Sequence, residues 1–491
     1  MTNRISSSYL HQLQRVYYNI GDRGIRVAML RVEANKLKIK TLINEQLEIA
    51  SKQWSCVVYV GAANKPADDK TSVNLNSTQG ERALLSKLKE LGYKIPSINK
   101  KNTDREYESK FSTGELALQK MLVENQFNYP AGDPAIRAIL KVRELGKISS
   151  VYLNSRLRYT NNEAFFLSVY NVAGTLTGRR TSRKHIFGFG NNSQNFPHHS
   201  SSARYFRECL IPREGNIFLM CDQMQAEEWP VSALSSNMTA LEELKTGVDR
   251  HSKLASAVFS EYIPAKSSPD WDKAKHEMKR YLGKKIKHAR NYGMKKKRMA
   301  ESLAQEGFAV SEQLCEILLN KAREVDPTVD SVFHAYIQEQ LSNFHMLKTP
   351  FGMERMFLGA RPNADNSTFF NKAYSYIPQS VVGCNTGFAV FELEEDYPEE
   401  ERQIVQEGHD SIVQDIRAEP ENILRYIERT VKAFNREIEF HNGIRINIPI
   451  EFELGFDFQT TVTLESLTLE GIKIALDKLK VEREKIGQTT F

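Results

Sequence analysis

The sequence predicts an α+β chain whose sheet is gathered from segments far apart and bordered by two mostly helical lobes. Three observations lead there. Ile217-Phe218-Leu219-Met220-Cys221 is an apolar run of strand length, ended by Asp222. Ile404-Val405 and Ile412-Val413 flank Gly408-His409-Asp410, the pattern of a hairpin with His-Asp at its tip. Between them, residues 239–345 carry helical periodicity almost throughout. A chain of 491 residues also exceeds one compact core and suggests about three lobes, at roughly 100–200 residues each.

In chain order, Tyr9 to Ser51 reads as a long helical stretch broken at Gly21-Asp22-Arg23-Gly24. Lys65 to Asn76 is polar and loop-like, and Ser86 to Gly92 is a short helix that Gly92 stops. A basic loop, Asn99-Lys100-Lys101-Asn102, precedes helices over 113–125 and 133–149. Asn171 to Pro197, rich in Gly, Thr, Ser, Asn and Arg, is extended. Beyond the second helical lobe, Thr349 to Phe357 returns to strands, Glu392 to Glu401 is a solvated acidic turn, Ile446 to Phe458 is a strand pair, and 464–486 is an amphipathic helix.

Hydrophobic content of 41% and charged content of 26% are ordinary for a soluble globular chain. No apolar run approaches the roughly 20 residues of a membrane helix, and no apolar leader follows Met1, so a cytoplasmic location is expected. Cys56, Cys209, Cys221, Cys315 and Cys384 are scattered without a CxxC pair, which argues against a zinc site or a disulfide framework. The net charge is only +6, but Lys273 to Arg298 holds twelve Lys or Arg against Glu277 alone. That density favours a polyanionic partner over a solvated helix face, which mixes both signs.

Asp222 ends an apolar strand, where a carboxylate is costly unless paired or metal-bound; a helix N-cap is the plainer alternative. Asp410 at a hairpin tip is equally at home as a turn residue. The intervening helix weighs against both plain readings. Arg280, Lys284, His288 and Tyr292 recur every four residues, so they share one side of a helix about 18 Å long. Arg and Lys can grip phosphate oxygens while a ring further along packs on a base or sugar. Two carboxylates joined by a sheet and faced by such a helix suit nucleotidyl transfer.

These residues resemble the motifs of the family A DNA polymerases, the bacterial DNA polymerase I type. Arg280-x3-Lys284-x7-Tyr292-Gly293 is similar to motif B, Asp222-Gln-Met-Gln225-Ala-Glu227 to motif A, and His409-Asp410-Ser411 to motif C. Thr177-Gly178-Arg179 and Gln194-Asn195-Phe196-Pro197 resemble the template-and-primer segment, with Asp249-Arg-His251 and Ile377-Pro378-Gln379 in order. Gly24-Ile25-Arg26-Val27, Asn74-Leu75-Asn76-Ser77, Ser112-Thr113 and Arg143-Glu-Leu-Gly-Lys147 extend the likeness upstream, to about residue 9 at one end and 458 at the other.

The resemblance implies a right hand with an antiparallel-sheet palm and mostly helical thumb and fingers. Residues 1–28 would lead into the palm, 29–150 form the thumb, 151–238 the palm with motif A, 239–346 the fingers, and 347–491 the palm with motif C and a C-terminal helix. It implies template-directed addition of dNMPs to a primer 3′-hydroxyl. Asp222 and Asp410 would hold two Mg²⁺ ions, with Mn²⁺ as substitute, and Lys284 would serve as catalytic proton donor. Arg280, Lys284, His288, Tyr292, Glu227, Gln225 and His251 would form the nucleotide site, Glu227 excluding a 2′-hydroxyl. Arg179, Gln194, Asn195, Gln379 and His409 would contact primer-template DNA.

Several positions depart from the family pattern: His288 for Phe or Tyr, Gln223 for an aromatic, Trp229 for Arg, and Ser411 for Glu, so that a third carboxylate at the metal site is expected to be absent. They point towards a divergent viral member, placed in the host cytoplasm. Thumb-like sequence begins almost at Met1, so no proofreading exonuclease domain is expected; a separate exonuclease, helicase or processivity factor would then be a partner. Residues 459–491 run past the usual family end, with packing on the palm favoured over a partner-binding role. The rivals are a single-subunit RNA polymerase, which Glu227 opposes, and a catalytically inactive primed-DNA-binding subunit, which needs positive charge but no paired acids.

Overall fold

The computed structural model describes residues 5–60, 72–75, 84, 87–93, 97–99, 109–111, 115–124, 133–198, 200–305, 308, 310–358 and 367–485. The chain divides into two compact units, one of Met1–Val32, Asn154–Met294 and Leu318–Phe491, the other of Glu33–Leu153 and Lys295–Ile317.

The first unit is built on a five-stranded antiparallel sheet, in the order Ile404–Glu407, Ser411–Arg417, Asn216–Gln223, Ile450–Gly455 and Thr461–Thr463. Alternation along the central strand sends Ile217, Leu219 and Cys221 to one face, where Ile412, Ile416, Phe452 and Leu454 join them. Helices Ser7–Arg23, Pro420–Phe434 and Leu469–Lys485 close this core through Leu13, Ile20, Ile423, Phe434, Ile472 and Leu479. The other face carries Met220 and Asp222, with Glu453 and Glu451 as their direct partners. The α+β class with antiparallel sheets therefore holds, and the C-terminal helix packs on the sheet.

Four readings of the sequence change. Ile25–Val27, expected within the helical stretch just past the break at Gly21–Gly24, pairs with Leu210–Ile211 and Glu163–Phe166 in a second sheet; three residues are too few to show a period. Arg445–Ile446 pairs with Ile438–Glu439, so only Ile450–Gly455 of the expected strand pair enters the main sheet, and Thr461–Thr463 extends it. Glu392–Glu395 finish the helix Ser367–Glu395 rather than a solvated turn, because Leu393 is buried and Glu394, also buried, pairs with Arg23 at 2.9 Å. Asn171–Pro197 contains the short strand Thr181–Arg183 and a tight turn at Ser193–Asn195.

The second unit packs Trp54, Leu88, Leu118, Met121, Ile136 and Ile139 around helices Met29–Trp54, Glu115–Glu124 and Pro134–Lys147. Asp133 caps the last of these, accepting from the N–H groups of Ala135 and Ile136 at 2.9 and 3.0 Å. Gly92 ends its short helix at φ 75°, as the sequence suggests. Within the expected loop Lys65–Asn76, Ser72–Asn74 pairs with Val57–Tyr59; Lys65–Thr71 and the basic loop beyond Asn99 lie outside the described residues.

In the first unit, helix Arg250–Phe259 seats the basic helix Lys273–Asn291 at very close range. A Cβ added to Gly283 would lie 2.6 Å from the His251 carbonyl oxygen and 2.8 Å from the Ala255 Cβ. On an open helix, Gly→Ala gains about 1 kcal/mol of propensity. Here overpacking against a neighbouring backbone costs about 1–3 kcal/mol and dominates. Gly283→Ala is therefore expected to lower the melting temperature; a rise would show that the two helices have room to spare.

Candidate nucleotidyl-transfer site

Sheet register brings the two aspartates together. The central strand pairs with Ser411–Arg417 so that Asp222 faces Ser411, and the Gln223 N–H donates to the Asp410 carbonyl at 3.1 Å. Gly408-His409-Asp410 forms the expected hairpin tip, with His409 at φ 77°. The tip is tied down: the Gln223 amide donates to the Thr386 hydroxyl at 2.8 Å, and that hydroxyl donates to the His409 carbonyl at 2.9 Å. Gln223, a departure in sequence, thus fastens the sheet to the long helix.

Asp222 keeps accessible area near the end of the central strand yet has so much protein around it that desolvation, then the charges of Asp410 and Glu451, pushes its carboxyl well above the usual range, against the pull of Lys284. Solvent reaches its exposed area, while desolvation and the neighbouring carboxylates act in the same upward direction. Asp410 is pushed up by burial and Glu227, with Arg179 and Lys284 opposing. Lys284, exposed on the basic helix, thus acts on both aspartates. Among the described residues no three His, Cys, Asp or Glu side chains converge as a metal site. The motif C position is indeed Ser411, but Glu451 stands across from Asp222 on the other flank.

Glu227 behaves oppositely. Burial would raise its carboxyl, but His288, Arg179 and Tyr292 together hold it well below the usual carboxylate range. Arg179 and the Tyr292 hydroxyl both donate to it, and the His288 Nδ1 lies 3.3 Å from its Oε2. Arg179 comes close because Gly383 of the long helix lacks a Cβ, which would stand 3.2 Å from the Arg179 Cγ.

The other expected residues fall around this centre. Arg280 is engaged by Asp249, its Nε donating at 2.5 Å to the carboxylate that also caps helix Arg250–Phe259. His251 is buried behind His288, ring centroids 6.0 Å apart, and burial with the nearby cations drives its pKa well below the ordinary value. Gln225, at φ 49°, joins two backbones: its amide donates to the Val248 carbonyl at 2.9 Å and its carbonyl accepts from the Arg250 N–H at 3.0 Å. His251 therefore stands behind the ring of His288, whereas Gln225 is half-buried. Gln194 donates to Glu407 at 2.8 Å and lies 3.4 Å from the His409 ring. Asn195 is exposed, and Gln379 is half-buried just after Pro378 in the long helix.

Sequence reading missed Glu451 and Glu407. Strict alternation over Ile450–Leu454 places Glu451 on a solvent face, which is also the face of Asp222. Glu407 is fully buried, accepting from Gln194 and from the His409 N–H at 2.9 Å.

A model of DNA polymerase family A matches residues 45–459. The thermostable DNA polymerase I of Thermus filiformis is 23% identical over 447 residues, 90% of this chain and 46% of that protein. DNA polymerase I of Borreliella burgdorferi is 26% identical over 187 residues, 38% and 18% of the two chains, and the DNA polymerase of Bacillus phage SP01 is 22% identical over 231, 42% and 23%. The chain thus spans less than half the length of these curated relatives. Among solved structures, the POL domain of Pol1 from M. smegmatis, in complex with DNA primer-template and dNTP, superposes with a TM-score of 0.67 at 17% identity. The match covers 91% of this chain and 70% of that one, a likeness of fold.

Burial pushes the Glu407 carboxyl from 4.5 up to about 7, against the pull of Arg180. Between those values the folded chain keeps a proton that the unfolded chain has released. Its contribution to stability is therefore fullest below pH 4.5 and is lost as pH rises through 7. Glu407→Gln cannot ionise, so between pH 6 and 8 it should lose about 1 kcal/mol less stability than the parent, at ~1.4 kcal/mol per unit. Parallel pH profiles of melting temperature would contradict this.

Proposed function

Because the chain belongs to DNA polymerase family A, we propose that it extends a primer strand on a DNA template with dNTPs. The observation that carries this reading is the convergence of Asp222, Asp410 and Lys284, from three distant segments, beside Glu227 held in its ionised state.

Asp222 and Asp410 would hold the divalent cations. The donor set fits: hard carboxylate oxygens suit Mg²⁺ or Mn²⁺, and two acids pushed up by burial and repulsion are relieved by a cation. Bound there, such ions supply charge neutralisation for the triphosphate and acidify the primer hydroxyl. Lys284, beside both aspartates, binds phosphate oxygens and holds the proton that the leaving pyrophosphate takes. Arg280, one turn earlier on the same side and steadied by Asp249, extends the cationic track. Tyr292 and His288 brace Glu227 under the nucleotide sugar, where a fixed carboxylate leaves no place for a 2′-hydroxyl. Gln225 and His251 belong to this pocket, His251 behind the ring of His288. Arg179, Gln194, Asn195, Gln379 and His409 form the surface offered to primer and template.

Glu227 counts against the ribonucleotide rival, and the paired aspartates count against an inactive binding subunit. We read these residues as extending primers without removing mismatched ends. Primer extension with dNTPs and, separately, NTPs tests the reading: dNTP-dependent growth is expected, and growth with NTPs alone would favour the RNA polymerase.

Asp222→Ala and Asp410→Ala should each slow extension by about a thousandfold or more, given the several kcal/mol that metal-assisted charge stabilisation contributes. Primed-DNA binding should persist; substantial extension by either variant would remove both residues from the centre. Glu227→Ala should narrow the preference for dNTPs over NTPs by about 10–200-fold, the scale of one steric contact in a pocket. An unchanged ratio of kcat/KM values would place the sugar gate elsewhere.

A further inference from the structure

Glu227 has a neighbour that nucleotide binding does not use. Glu228, 2% exposed, begins helix Glu228–Leu234 and lies on the inner side of the turn whose outer side carries Glu227. Lys287, 3% exposed, reaches it from the basic helix at 2.7 Å, and the Asn291 amide donates to its other oxygen at 3.1 Å. The contacts repeat one residue along: Lys287 and Asn291 take Glu228, while His288 and Tyr292 take Glu227. Two adjacent carboxylates are thus each held by an i,i+4 pair on adjoining stripes of one helix.

The inner pair belongs to a larger set of charges. Lys287 also lies 3.3 Å from Asp326, which binds Arg250, and the Arg250 Nε stands 3.8 Å from Glu228. Arg250 is itself 3% exposed and also pairs with Glu243. Glu228, Lys287, Arg250 and Asp326 are all buried, and a buried charge that loses its partner is heavily penalised. A helix turned or slid by one residue would strand Lys287 against apolar neighbours and leave Glu228 unpaired. Buried ion pairs are best attested as devices that select one register. No periodic signal in the sequence marks this one, since charged residues read as solvent-facing.

We propose that Glu228 and Lys287 are positioning residues for nucleotide selection: their buried pair fixes the seat of the basic helix on the turn that carries Glu227, and so sets the height of the sugar gate. The proposal rests on the reading of Glu227 as that gate. Neither residue touches the nucleotide; both act through Glu227, His288 and Tyr292. Losing the pair leaves the outer braces attached to a helix with more than one seat. Selection against a ribose and affinity for the incoming nucleotide should then fall together, while the aspartate centre stays intact.

The test measures single-nucleotide insertion of dNTP and NTP by the parent, Lys287→Met, Glu228→Gln, Lys287→Arg and the double replacement Glu228→Leu/Lys287→Leu, at a temperature where circular dichroism shows each folded. Lys287→Met and Glu228→Gln should raise the dNTP KM several-fold and cut the dNTP-over-NTP ratio about tenfold, with a smaller change in kcat. Lys287→Arg should restore both to within about twofold of the parent. The double replacement, with no lone charge in the pair, keeps the test open should a single variant fail to fold; it should melt near the parent yet select poorly. Folded variants with parental KM and selectivity, whatever their melting temperatures, would overturn the proposal. A parent that extends no primer would instead overturn the function beneath it.

Discussion

The site depends on one register, that of the central strand Asn216–Gln223 against Ser411–Arg417. It sets Asp222 opposite Ser411 and hands the Gln223 N–H to the Asp410 carbonyl. Side chains in a strand alternate, so a slip of one residue would turn Asp222 into the apolar core and bring Cys221 to the open face. The apolar set Ile217, Leu219 and Cys221 forbids that slip through its burial among Ile412, Ile416 and Phe452. Hydrophobic packing on one face of the sheet thereby fixes the distance between two carboxylates on the other. The Gln223–Thr386–His409 chain of hydrogen bonds then holds the hairpin tip so that Asp410 shares the constraint.

Around this frame, two kinds of carboxylate stand side by side. Asp222 is pushed up by burial, Asp410 and Glu451, and Asp410 by burial and Glu227; the lysine and arginine near them do not offset this. Glu227, a few residues along, meets three donors at once and stays ionised despite its burial. The difference is what the proposed nucleotidyl transfer would ask of them: a gate would have to keep one charge and one position, whereas metal ligands would be completed by their cation. The basic helix serves both, offering Lys284 to the aspartates and His288 and Tyr292 to Glu227. Its close seat on helix Arg250–Phe259, permitted by Gly283, keeps these roles from drifting apart.

Much of this was legible in the sequence where a period or a turn marks it. The strand before Asp222, the Gly-His-Asp hairpin and the four-residue spacing on the basic helix each carry such a mark, and all three stand where expected. The strand Ile25–Val27 escaped because three residues between helices show no alternation. Glu451 escaped because a strand's solvent face and an active-site face have the same pattern, and only the neighbouring strand distinguishes them. Glu228, Lys287 and Arg250 escaped for a stronger reason: charge is read as exposure, and their burial depends on partners supplied from three separate segments. Arg280 and His251 were read as part of one nucleotide site, but their links to Asp249 and to the space behind His288 arise from helix packing, which spacing alone does not show.

The central claim is that Asp222, Asp410 and the basic helix form a single reaction centre. A structure of the chain with primer-template DNA ending in a dideoxynucleotide, the next dNTP and Mg²⁺ tests it most directly. The account predicts metal density held by both aspartates, the triphosphate along Lys284, and the sugar against Glu227. A nucleotide bound elsewhere, or metal held without Asp222 and Asp410, would contradict it.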